Sequence, residues 1–357
     1  MPDSLPTQRV AFSPGDGIGI EVTAEAVKAL EALVKSHHLP INYQVLDWGA
    51  EKYLREGVSL PADGLDMLRR DYQAIFIGAL GDPRVPSNQH AADILLGIRF
   101  HLDLYVNQRP VKLLDARLCP LKNRTERDVN FVIFRENTEG LYVGMGGVFK
   151  KNTPDEVAVQ EDVNTRKGVD RILVYAFDYA RRHGLKKVCM SDKANALAFG
   201  HGLWQRAFAE VRPRYPEIES RHLYVDTLSL ELVRDPSQFE VIVTCNLFGD
   251  ILSDLGAALQ GGLGLAPSAN LHPGQISMFE TVHGSAPNIA GRNRANPMAA
   301  VLTVGMMLDH LGHPEAGARA ETVVREAIRS GVATPDLPGL GGPYGTREVG
   351  DWIAARL

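Results

Sequence analysis

The sequence predicts an α/β protein with a largely parallel sheet. Short runs of β-branched or aromatic residues are repeatedly followed by a loop and then by a helical pattern, the order that crossover helices give to a parallel sheet. The 357 residues are too many for one ordinary domain and fit two domains or one large α/β unit. The runs that we predict as strands are residues 9–12, 74–77, 129–134, 187–190 and 241–244.

The first predicted helix follows the first of these strands. Its apolar residues recur at helical spacing, so we expect one face of the helix to pack on the sheet. These residues are Val22, Ala26, Leu30, Leu33 and Val34.

The composition excludes several classes of protein. Hydrophobic residues make up 45% of the chain and charged residues 23%, a balance that excludes disordered and fibrous proteins. The 38 basic and 43 acidic side chains give a net charge of -5, so we expect neither nucleic acid nor a membrane as a partner. An anionic ligand must therefore meet cations that the fold places locally.

The cysteines and the N-terminal residues indicate a cytoplasmic protein. Cys119, Cys189 and Cys245 are odd in number and widely spaced, which fits neither a disulfide framework nor a zinc site. The first residues lack a signal-peptide pattern, and no apolar run approaches the roughly 20 residues of a membrane span. We therefore expect a reducing cytoplasm as the location.

Residues 139–161 interrupt the α/β alternation and are rich in glycine and polar residues. This composition suggests an extended arm, with a plain surface loop as the alternative. No Ser/Gly/Pro linker divides the chain, which favours domains that share strands over domains joined by a tether.

The strongest local pattern is the pair Asp250 and Asp254 in NLFGDILSDLGAAL, just after the strand at 241–244. Residues four apart on a helix share one face, so both carboxylates can reach one hard divalent cation such as Mg2+ or Mn2+. Such a pair is also common on solvated helix surfaces. Its position after a strand favours function, because α/β proteins bind ligands at the carboxyl ends of their strands.

Five further side chains have the chemistry of an acid-binding site. The guanidinium groups of Arg99, Arg109 and Arg135 can each bind a carboxylate through two hydrogen bonds, so together they suit a dicarboxylic or tricarboxylic acid. Tyr142 and Lys193 can exchange protons if burial or a nearby metal moves their pKa values toward neutrality. Each of the five is also a common surface residue, and the patterns alone leave that alternative open.

Two segments could bind a nucleotide. Residues 14–19 read PGDGIG between a strand and a helix, but they lack the GxGxxG spacing of a dinucleotide fingerprint. Residues 279–291 read FETVHGSAPNIAG, and the turn at 283–286 has backbone amides that could receive phosphate or adenine. A purely structural turn is the alternative.

Motifs in order along nearly the whole chain resemble the β-decarboxylating dehydrogenases. They are GDGIGIEV, the three arginines, RENTEGLY, DKAN, YVDTLSLELV, NLFGDILSDL, FETVHGSAPNIAG and ANP at 295–297. That family includes isopropylmalate, isocitrate, homoisocitrate, and tartrate or D-malate dehydrogenases. The resemblance is more specific for the reaction than for the substrate.

The resemblance implies an isocitrate/isopropylmalate dehydrogenase-like fold of two α/β domains, distinct from the Rossmann fold. The larger, cofactor-binding domain would be discontinuous and comprise residues 1–104 and 262–357. Residues 105–261 would form the domain for dimerisation, metal and substrate, with an intersubunit arm near 139–161. The active site would lie between the domains and be completed by the second subunit of a homodimer.

The resemblance also implies a role for each site residue. Asp250 and Asp254, with Asp226 of the second subunit, would bind Mg2+ or Mn2+, which lowers the pKa of the substrate's 2-hydroxyl. Lys193 of the second subunit would help to take that proton while hydride passes to NAD, and Tyr142 would protonate the enol left by loss of CO2. The catalytic residues that the resemblance implies are Tyr142, Lys193 and Asp226. The substrate-binding residues would be Leu95, Leu96, Arg99, Arg109 and Arg135, and the NAD-binding residues Glu280, His283, Gly284, Ser285, Ala286, Asn288, Ile289 and Asn296.

The choice of cofactor depends on Asn288 and Ile289. NADP enzymes of the family resemble one another in carrying Lys-Tyr at these positions, whereas NAD enzymes usually have Asp at the first. Ile289 fits the NAD branch. An amide at 288 would repel a 2'-phosphate less than a carboxylate does, so we expect NAD with loose discrimination.

The choice of substrate depends on the helix before Arg99. Leu95 and Leu96 border the arginine, and an apolar wall leaves a γ-carboxylate unpaired at a cost of several kcal/mol, which disfavours isocitrate. Isopropylmalate enzymes share the paired leucines but usually carry Glu where this chain has Ala92. YVNQRPVKLL and residues 159–180 resemble the tartrate and D-malate branch, and RENTEGLYV resembles homoisocitrate enzymes. Isopropylmalate and D-malate or tartrate therefore stay nearly level, and an enzyme that uses several hydroxy acids is an open alternative.

A non-catalytic regulatory subunit is the alternative from another class. Such relatives would be expected to lose a metal-binding Asp, the Lys or the Tyr. This chain keeps all of them, which favours an enzyme.

Overall fold

The computed structural model describes residues 7–357 and divides into two compact units. Unit 1 comprises the described residues up to Leu104, with Lys112–Arg127 and Ala257–Leu357. Unit 2 comprises Tyr105–Val111 and Asp128–Gly256. The strands are β1 (Gln8–Gly15), β2 (Ile41–Val45), β3 (Ala74–Ala79), β4 (Val106–Lys112), β5 (Asn130–Glu136), β6 (Gly146–Phe149), β7 (Val157–Gln160), β8 (Lys187–Asp192), β9 (Glu219–Tyr224), β10 (Val241–Thr244), β11 (Pro267–Leu271) and β12 (Ser277–Thr281).

Eleven α-helices are found in residues 7–357. They are α1 (Ile18–His37), α2 (Ala50–Glu56), α3 (Gly64–Asp71), α4 (Gln89–His101), α5 (Arg166–Arg182), α6 (Gly200–Val211), α7 (Val225–Arg234), α8 (Asn246–Leu259), α9 (Met298–His310), α10 (Pro314–Arg329) and α11 (Thr346–Ala354). None of them has the length and apolar character needed to cross a bilayer. The mixture of helices with mainly parallel strands confirms the predicted α/β class, and each of the five predicted strands is present, as β1, β3, β5, β8 and β10.

The sheet of unit 1 has the strand order β2-β1-β3-β12-β11. All neighbours are parallel except the pair β11 and β12. Helices α1 and α9 pack on this sheet, and α1 buries Val22, Ala26, Leu30 and Leu33 as its apolar spacing predicts, with Val34 half-buried. The loop PGDGIG has a structural role, because buried Asp16 accepts hydrogen bonds from the amides of Ala50 and Gly81.

The sheet of unit 2 has the order β4-β5-β10-β8-β9, and β5, β10, β8 and β9 run parallel to one another. Helices α5 and α6 pack on it. Strands β6 and β7 form a separate antiparallel hairpin with every residue exposed. This hairpin lies within the predicted arm, and its role between subunits stays a prediction.

The predicted domain bounds also stay a prediction. Residues 112–127 and 257–261, which the sequence analysis assigns to the second domain, lie in unit 1. Their contacts give the reason, because Lys112 Nζ lies 2.7 Å from Glu321 and Arg325 donates a hydrogen bond to the carbonyl of Leu114. Both contacts tie the segment to α10.

Candidate active site

Asp250 on α8 is the centre of a hydrogen-bond cluster in unit 2. Arg135 Nη1 donates to Asp250 Oδ1 at 2.6 Å, and Arg109 Nη1 lies 3.2 Å from the same oxygen. The Tyr142 hydroxyl donates to Asp250 Oδ2 at 2.6 Å. The structure therefore brings together four of the residues that the sequence analysis assigns to the site.

The strand order explains how these side chains meet. Arg109 lies on β4 and Arg135 on β5, neighbouring strands of the sheet, and α8 follows β10, the next strand along. Arg135 stands opposite Thr244, the last residue of β10, two residues before α8 begins. A Cβ atom at Gly249 would lie 2.5 Å from Arg135 Cβ, so only glycine lets α8 approach this strand so closely.

Two residues of α8 that the sequence analysis missed hold the arginines in place. Asn246 Oδ1 accepts from Arg135 Nε at 2.8 Å, and Ser253 Oγ accepts from Arg109 Nη1 at 2.6 Å. Asn246 precedes Asp250 by four residues, and Ser253 follows it by three. Helical spacing within NLFGDILSDL could therefore have identified both residues.

Asp254 lies one turn beyond Asp250 and is more exposed. Partial burial raises the pKa of Asp254, the charge of Asp250 raises it further, and the Arg109 guanidinium opposes both effects. Arg109 Nη1 lies 4.0 Å from Asp254 Oδ1. A cation stabilises two carboxylates whose like charges repel each other. Carboxylate oxygen atoms are also the ligands that Mg2+ and Mn2+ prefer.

The fit to a divalent ion is therefore good but incomplete within one chain. In residues 7–357, no group of three or more His, Cys, Asp or Glu side chains is arranged to hold a metal ion. Asp250 and Asp254 supply two carboxylates of such a site. A second copy's Asp226 is the ligand that the family resemblance implies.

Lys193 and Asp226 form a second group in unit 2. Lys193, directly after β8, donates from Nζ to Asp226 Oδ1 at 2.6 Å, and Asp226 lies in the first turn of α7. The lysine holds the pKa of the Asp226 carboxyl below its usual range. The side chain of Asp226 is 65% exposed, so the pair is accessible from outside its own unit.

The turn that leads to Tyr142 is anchored by a buried carboxyl. Glu136 accepts hydrogen bonds from the amides of Thr138 and Glu139 and from the Thr138 hydroxyl. Burial raises the pKa of Glu136 above its ordinary value, and the hydrogen bonds from Thr138 oppose that shift. This loop continues the chain from Arg135 to Tyr142.

Arg99 in unit 1 is paired with a carboxylate of its own unit. Arg99 Nη2 donates to Glu280 Oε1 at 2.8 Å, and Asn270 Nδ2 donates to the same oxygen. The sequence analysis assigns Arg99 to the substrate and Glu280 to the cofactor, whereas the structure makes them partners. Leu95 and Leu96 are half-buried on the same helix, and Leu95 packs against the core of unit 1.

The turn at 283–289 approaches the loop before α1. The carbonyl of Ser285 accepts from the amide of Ile18 at 2.8 Å. Gly17, with φ 55°, is required there because a Cβ would lie 2.1 Å from that carbonyl oxygen. Ala286 also has a left-handed backbone with φ 37°, while Gly284 and Asn288 are exposed and Ile289 is half-buried.

His283 gives this turn a chemical feature that fits a nucleotide. Its Nδ1 donates to the carbonyl of Gly284, so Nε2 is the acceptor nitrogen of the neutral ring. Burial lowers the pKa of His283, against the opposing charge of Asp336, and among residues 7–357 the buried Nε2 has no hydrogen-bond partner. An N–H group of a bound ligand could supply that missing partner.

Asn296 is partly occupied by its own unit. Its Oδ1 accepts from the amide of Met298 at the start of α9, and its Nδ2 donates to Asp336 at 3.3 Å. Asp336 thus lies close to two residues that the sequence analysis assigns to the cofactor. Its own segment, PDLPG, has no pattern that could have identified it.

Comparison with known proteins gives consistent matches over the whole chain. The family model described as isocitrate/isopropylmalate dehydrogenase matches residues 9–353. The 3-isopropylmalate dehydrogenase of Thermobifida fusca is 43% identical over 356 residues, covering 99% of each chain, and that of Frankia casuarinae is 44% identical over 350 residues, covering 98% of this chain and 99% of the relative. Among solved structures, isocitrate dehydrogenase from Methylococcus capsulatus matches with a TM-score of 0.88 and 39% identity, covering 98% of this chain and 99% of the other. The TT0538 protein of Thermus thermophilus matches with a TM-score of 0.86 and 35% identity, covering 98% of this chain and 68% of the other.

Proposed function

The chain belongs to the isocitrate/isopropylmalate dehydrogenase family and is an oxidoreductase, and on that premise we propose an NAD-dependent oxidative decarboxylation. The substrate is a 2-hydroxy acid with a carboxylate on C3, and 3-isopropylmalate is the first candidate because the curated relatives carry that name. The observation that supports the reaction best is the cluster of Asp250 with Arg109, Arg135 and Tyr142.

Arg109 and Arg135 bind the carboxylate that will leave. Both guanidinium groups are at least 90% buried, so their charges are poorly screened by water. Asn246 and Ser253 fix their orientation before the substrate arrives. Such preorganised donors stabilise the negative charge on the carboxylate without reorganising during the reaction. Within unit 1, Glu280 holds the guanidinium of Arg99 in place.

Two groups move protons. Lys193 of one subunit helps to take the proton of the 2-hydroxyl while hydride leaves C2, which gives a β-keto acid. The bond between C3 and the carboxylate then breaks, CO2 leaves, and the hydroxyl of Tyr142 donates a proton to C3. Tyr142 is oriented for this step by its hydrogen bond to Asp250 and by the Arg135 guanidinium, which lies 5.0 Å from the centre of its ring.

A divalent cation held by Asp250, Asp254 and a second copy's Asp226 would stabilise negative charge on the 2-oxygen, and NAD would accept the hydride. The NAD-binding residues in this proposal are Glu280, His283, Gly284, Ser285, Ala286, Asn288, Ile289 and Asn296. Asn288 is exposed and uncharged, so we infer weaker exclusion of NADP than a carboxylate would give.

We also propose that the chain is a homodimer. Apolar side chains on the hairpin of β6 and β7 are about half exposed or more, including Val148, Phe149 and Val159. Leu230 on α7 and Ile251 on α8 are 62% and 57% exposed. A second copy that covers these surfaces would bring its Lys193 and Asp226 to the Asp250 cluster, which matches the isologous contact of a two-fold dimer.

D-malate or tartrate is the second candidate substrate. Ala92 is exposed on α4, at a position where isopropylmalate enzymes usually carry Glu. Homoisocitrate and isocitrate rank lower, because half-buried Leu95 and Leu96 offer no partner for a further carboxylate. The alternative of a non-catalytic subunit is set aside, because the relatives are named as dehydrogenases and the chain keeps the side chains that move protons.

One assay ranks these possibilities. NADH formation would be measured with Mn2+ against 3-isopropylmalate, D-malate, tartrate, homoisocitrate and isocitrate in parallel. We expect the highest kcat/KM with 3-isopropylmalate or D-malate. Absence of NADH formation with all five acids would refute the proposed reaction.

A further inference from the structure

His201 links the turn that carries Lys193 to another part of unit 2. It is the second residue of α6 and is 1% exposed. Its Nδ1 accepts a hydrogen bond from the backbone amide of Lys193 at 2.8 Å. Nδ1 therefore carries no hydrogen, and the ring hydrogen is on Nε2.

The other ring nitrogen of His201 faces a carboxylate. Nε2 lies 3.4 Å from Asp162 Oδ2, and this contact with His201 lowers the pKa of Asp162. The histidine thus joins the backbone of Lys193 on one side to Asp162 on the other. This arrangement has the form of the carboxylate–histidine pairs that orient a third group in many enzyme sites.

Asp162 lies at the base of the exposed hairpin, two residues after β7 ends. Next to it, the carbonyl of Val163 accepts from the amide of Gly140 at 2.8 Å, two residues before Tyr142. Asn164 donates to Asp162 and accepts from Trp204 Nε1 on α6. The base of the hairpin is therefore attached to α6 at two positions and to the Tyr142 turn at one.

The surroundings of Gly200 show independently how closely the base of the hairpin, at residues 162–164, approaches α6. A Cβ atom at Gly200 would lie 2.7 Å from Asn164 Nδ2 and 3.4 Å from Asp162 Oδ2. Any other residue at position 200 would push the base of the hairpin away from His201. The contact between them is thus built into the backbone packing.

We propose that His201 is a positioning residue for Lys193, and that Asp162 holds the ring tautomer in which Nδ1 accepts from the Lys193 amide. His201 contacts only the backbone of the lysine, so it acts through the position of the Lys193 amine and not on the substrate. The inference rests on the proposed function for the role of Lys193 in proton transfer. A displacement of about 1 Å in a reacting group can cost on the order of 100-fold in rate.

Two substitutions of His201 separate the two contacts. In His201→Asn, the side-chain oxygen replaces Nδ1 and keeps the acceptor for the Lys193 amide. In His201→Gln, the longer amide replaces Nε2 and keeps a donor for Asp162, while the acceptor for Lys193 is lost. We expect His201→Gln to lower kcat for NADH formation by roughly 10- to 100-fold with KM values for NAD and hydroxy acid within about 2-fold of wild type, and His201→Asn to retain most of kcat.

Trp204→Phe is the matched control on the same helix. It removes the hydrogen bond to Asn164 but leaves the Lys193 amide bonded to His201. We expect a lower Tm and a kcat close to wild type, which separates a loss of stability from a loss of positioning. A kcat within about 2-fold of wild type in His201→Gln, or an equal loss in both His201 variants, would overturn the proposal.

Amide hydrogen exchange tests the positioning role of His201 without turnover. A peptide spanning residues 190–197 should exchange faster in His201→Gln than in wild type and stay unchanged in His201→Asn, because only the former loses the acceptor. If wild type oxidises none of the hydroxy acids, the proposed function fails while this measurement still decides the positioning role. Unchanged exchange in His201→Gln would overturn that role even in an active enzyme.

Discussion

The two polar groups of unit 2 differ in how complete they are. The Asp250 cluster is built from two neighbouring strands, a turn and α8, and its buried arginines already have partners. Lys193 and Asp226 have each other, but the carboxylate is mostly open to solvent. The difference indicates that one group is preorganised inside a protomer, whereas the carboxylate of the other is left accessible, as the proposed dimer requires.

The largest loss of activity should come from a substitution in the Asp250 cluster. Asp250→Asn removes a carboxylate of the proposed metal site and the charge that faces Arg109, Arg135 and Tyr142, so kcat/KM should fall by about 1,000-fold or more. Steady-state NADH formation at saturating Mn2+ measures this loss, and a chelator added to wild type should also stop the reaction. Ser253→Ala removes only one bond to Arg109 and should cost much less. A variant that keeps a tenth of wild-type activity would break the assignment of Asp250.

The next largest loss of activity should come from a substitution of Lys193, in the pair with Asp226. Lys193→Ala should reduce kcat by roughly 100-fold while substrate binding stays largely intact. The variant loses a proton-transfer group but keeps Arg109 and Arg135, which bind the carboxylate of the substrate. Initial rates and a direct binding titration with the hydroxy acid check the two halves of this prediction. Unchanged turnover would remove Lys193 from the mechanism.

Mixing the two variants sharpens the comparison. In a heterodimer of Asp250→Asn with Lys193→Ala, one of the two shared sites has both side chains intact. Random exchange of subunits should therefore restore about one quarter of wild-type activity, because about half of the dimers are mixed and each has one working site. The rate is followed after the inactive variants are unfolded and refolded together, with each variant refolded alone as the control. No recovery in the mixture would mean that each protomer uses its own Lys193.

The smallest effect is a change in stability, and it concerns Glu136 in the loop that leads from Arg135 to Tyr142. The folded state raises the pKa of Glu136, so it holds the proton more tightly than the unfolded chain does. The contribution of Glu136 to stability is therefore greatest at low pH and is lost as pH rises from the unfolded pKa through the folded pKa. Glu136→Gln stays neutral, so its Tm relative to wild type should be higher at pH 7 than at pH 4 by a few degrees. A Tm difference that does not change with pH would contradict this account.

The fold and the centre of the site could be predicted because both depend on local patterns. The spacing of Val22, Ala26 and Leu30 predicts the buried face of α1. The position of Asp250 after a buried strand predicts that it lies at the carboxyl end of that strand. Such patterns need only a few neighbouring residues and the geometry of helix and strand.

The partners of the site residues could not be predicted in the same way. Arg99 and Glu280 are 181 positions apart, and no spacing rule connects them. His201 and Asp162 are joined through packing of α6 against the base of the hairpin, which depends on a glycine that looks ordinary in the sequence. Pairings of this kind arise from tertiary structure, so roles assigned one residue at a time do not reveal them.

The exposed hairpin has a consequence for the life of a newly made chain. A two-stranded ribbon with apolar side chains in water has little stability of its own. In the proposed dimer the ribbon is covered, but a protomer that has not yet met its partner offers an accessible strip of backbone to cellular proteases. Pairing would then protect the chain from degradation, and protomers left unpaired would be removed first.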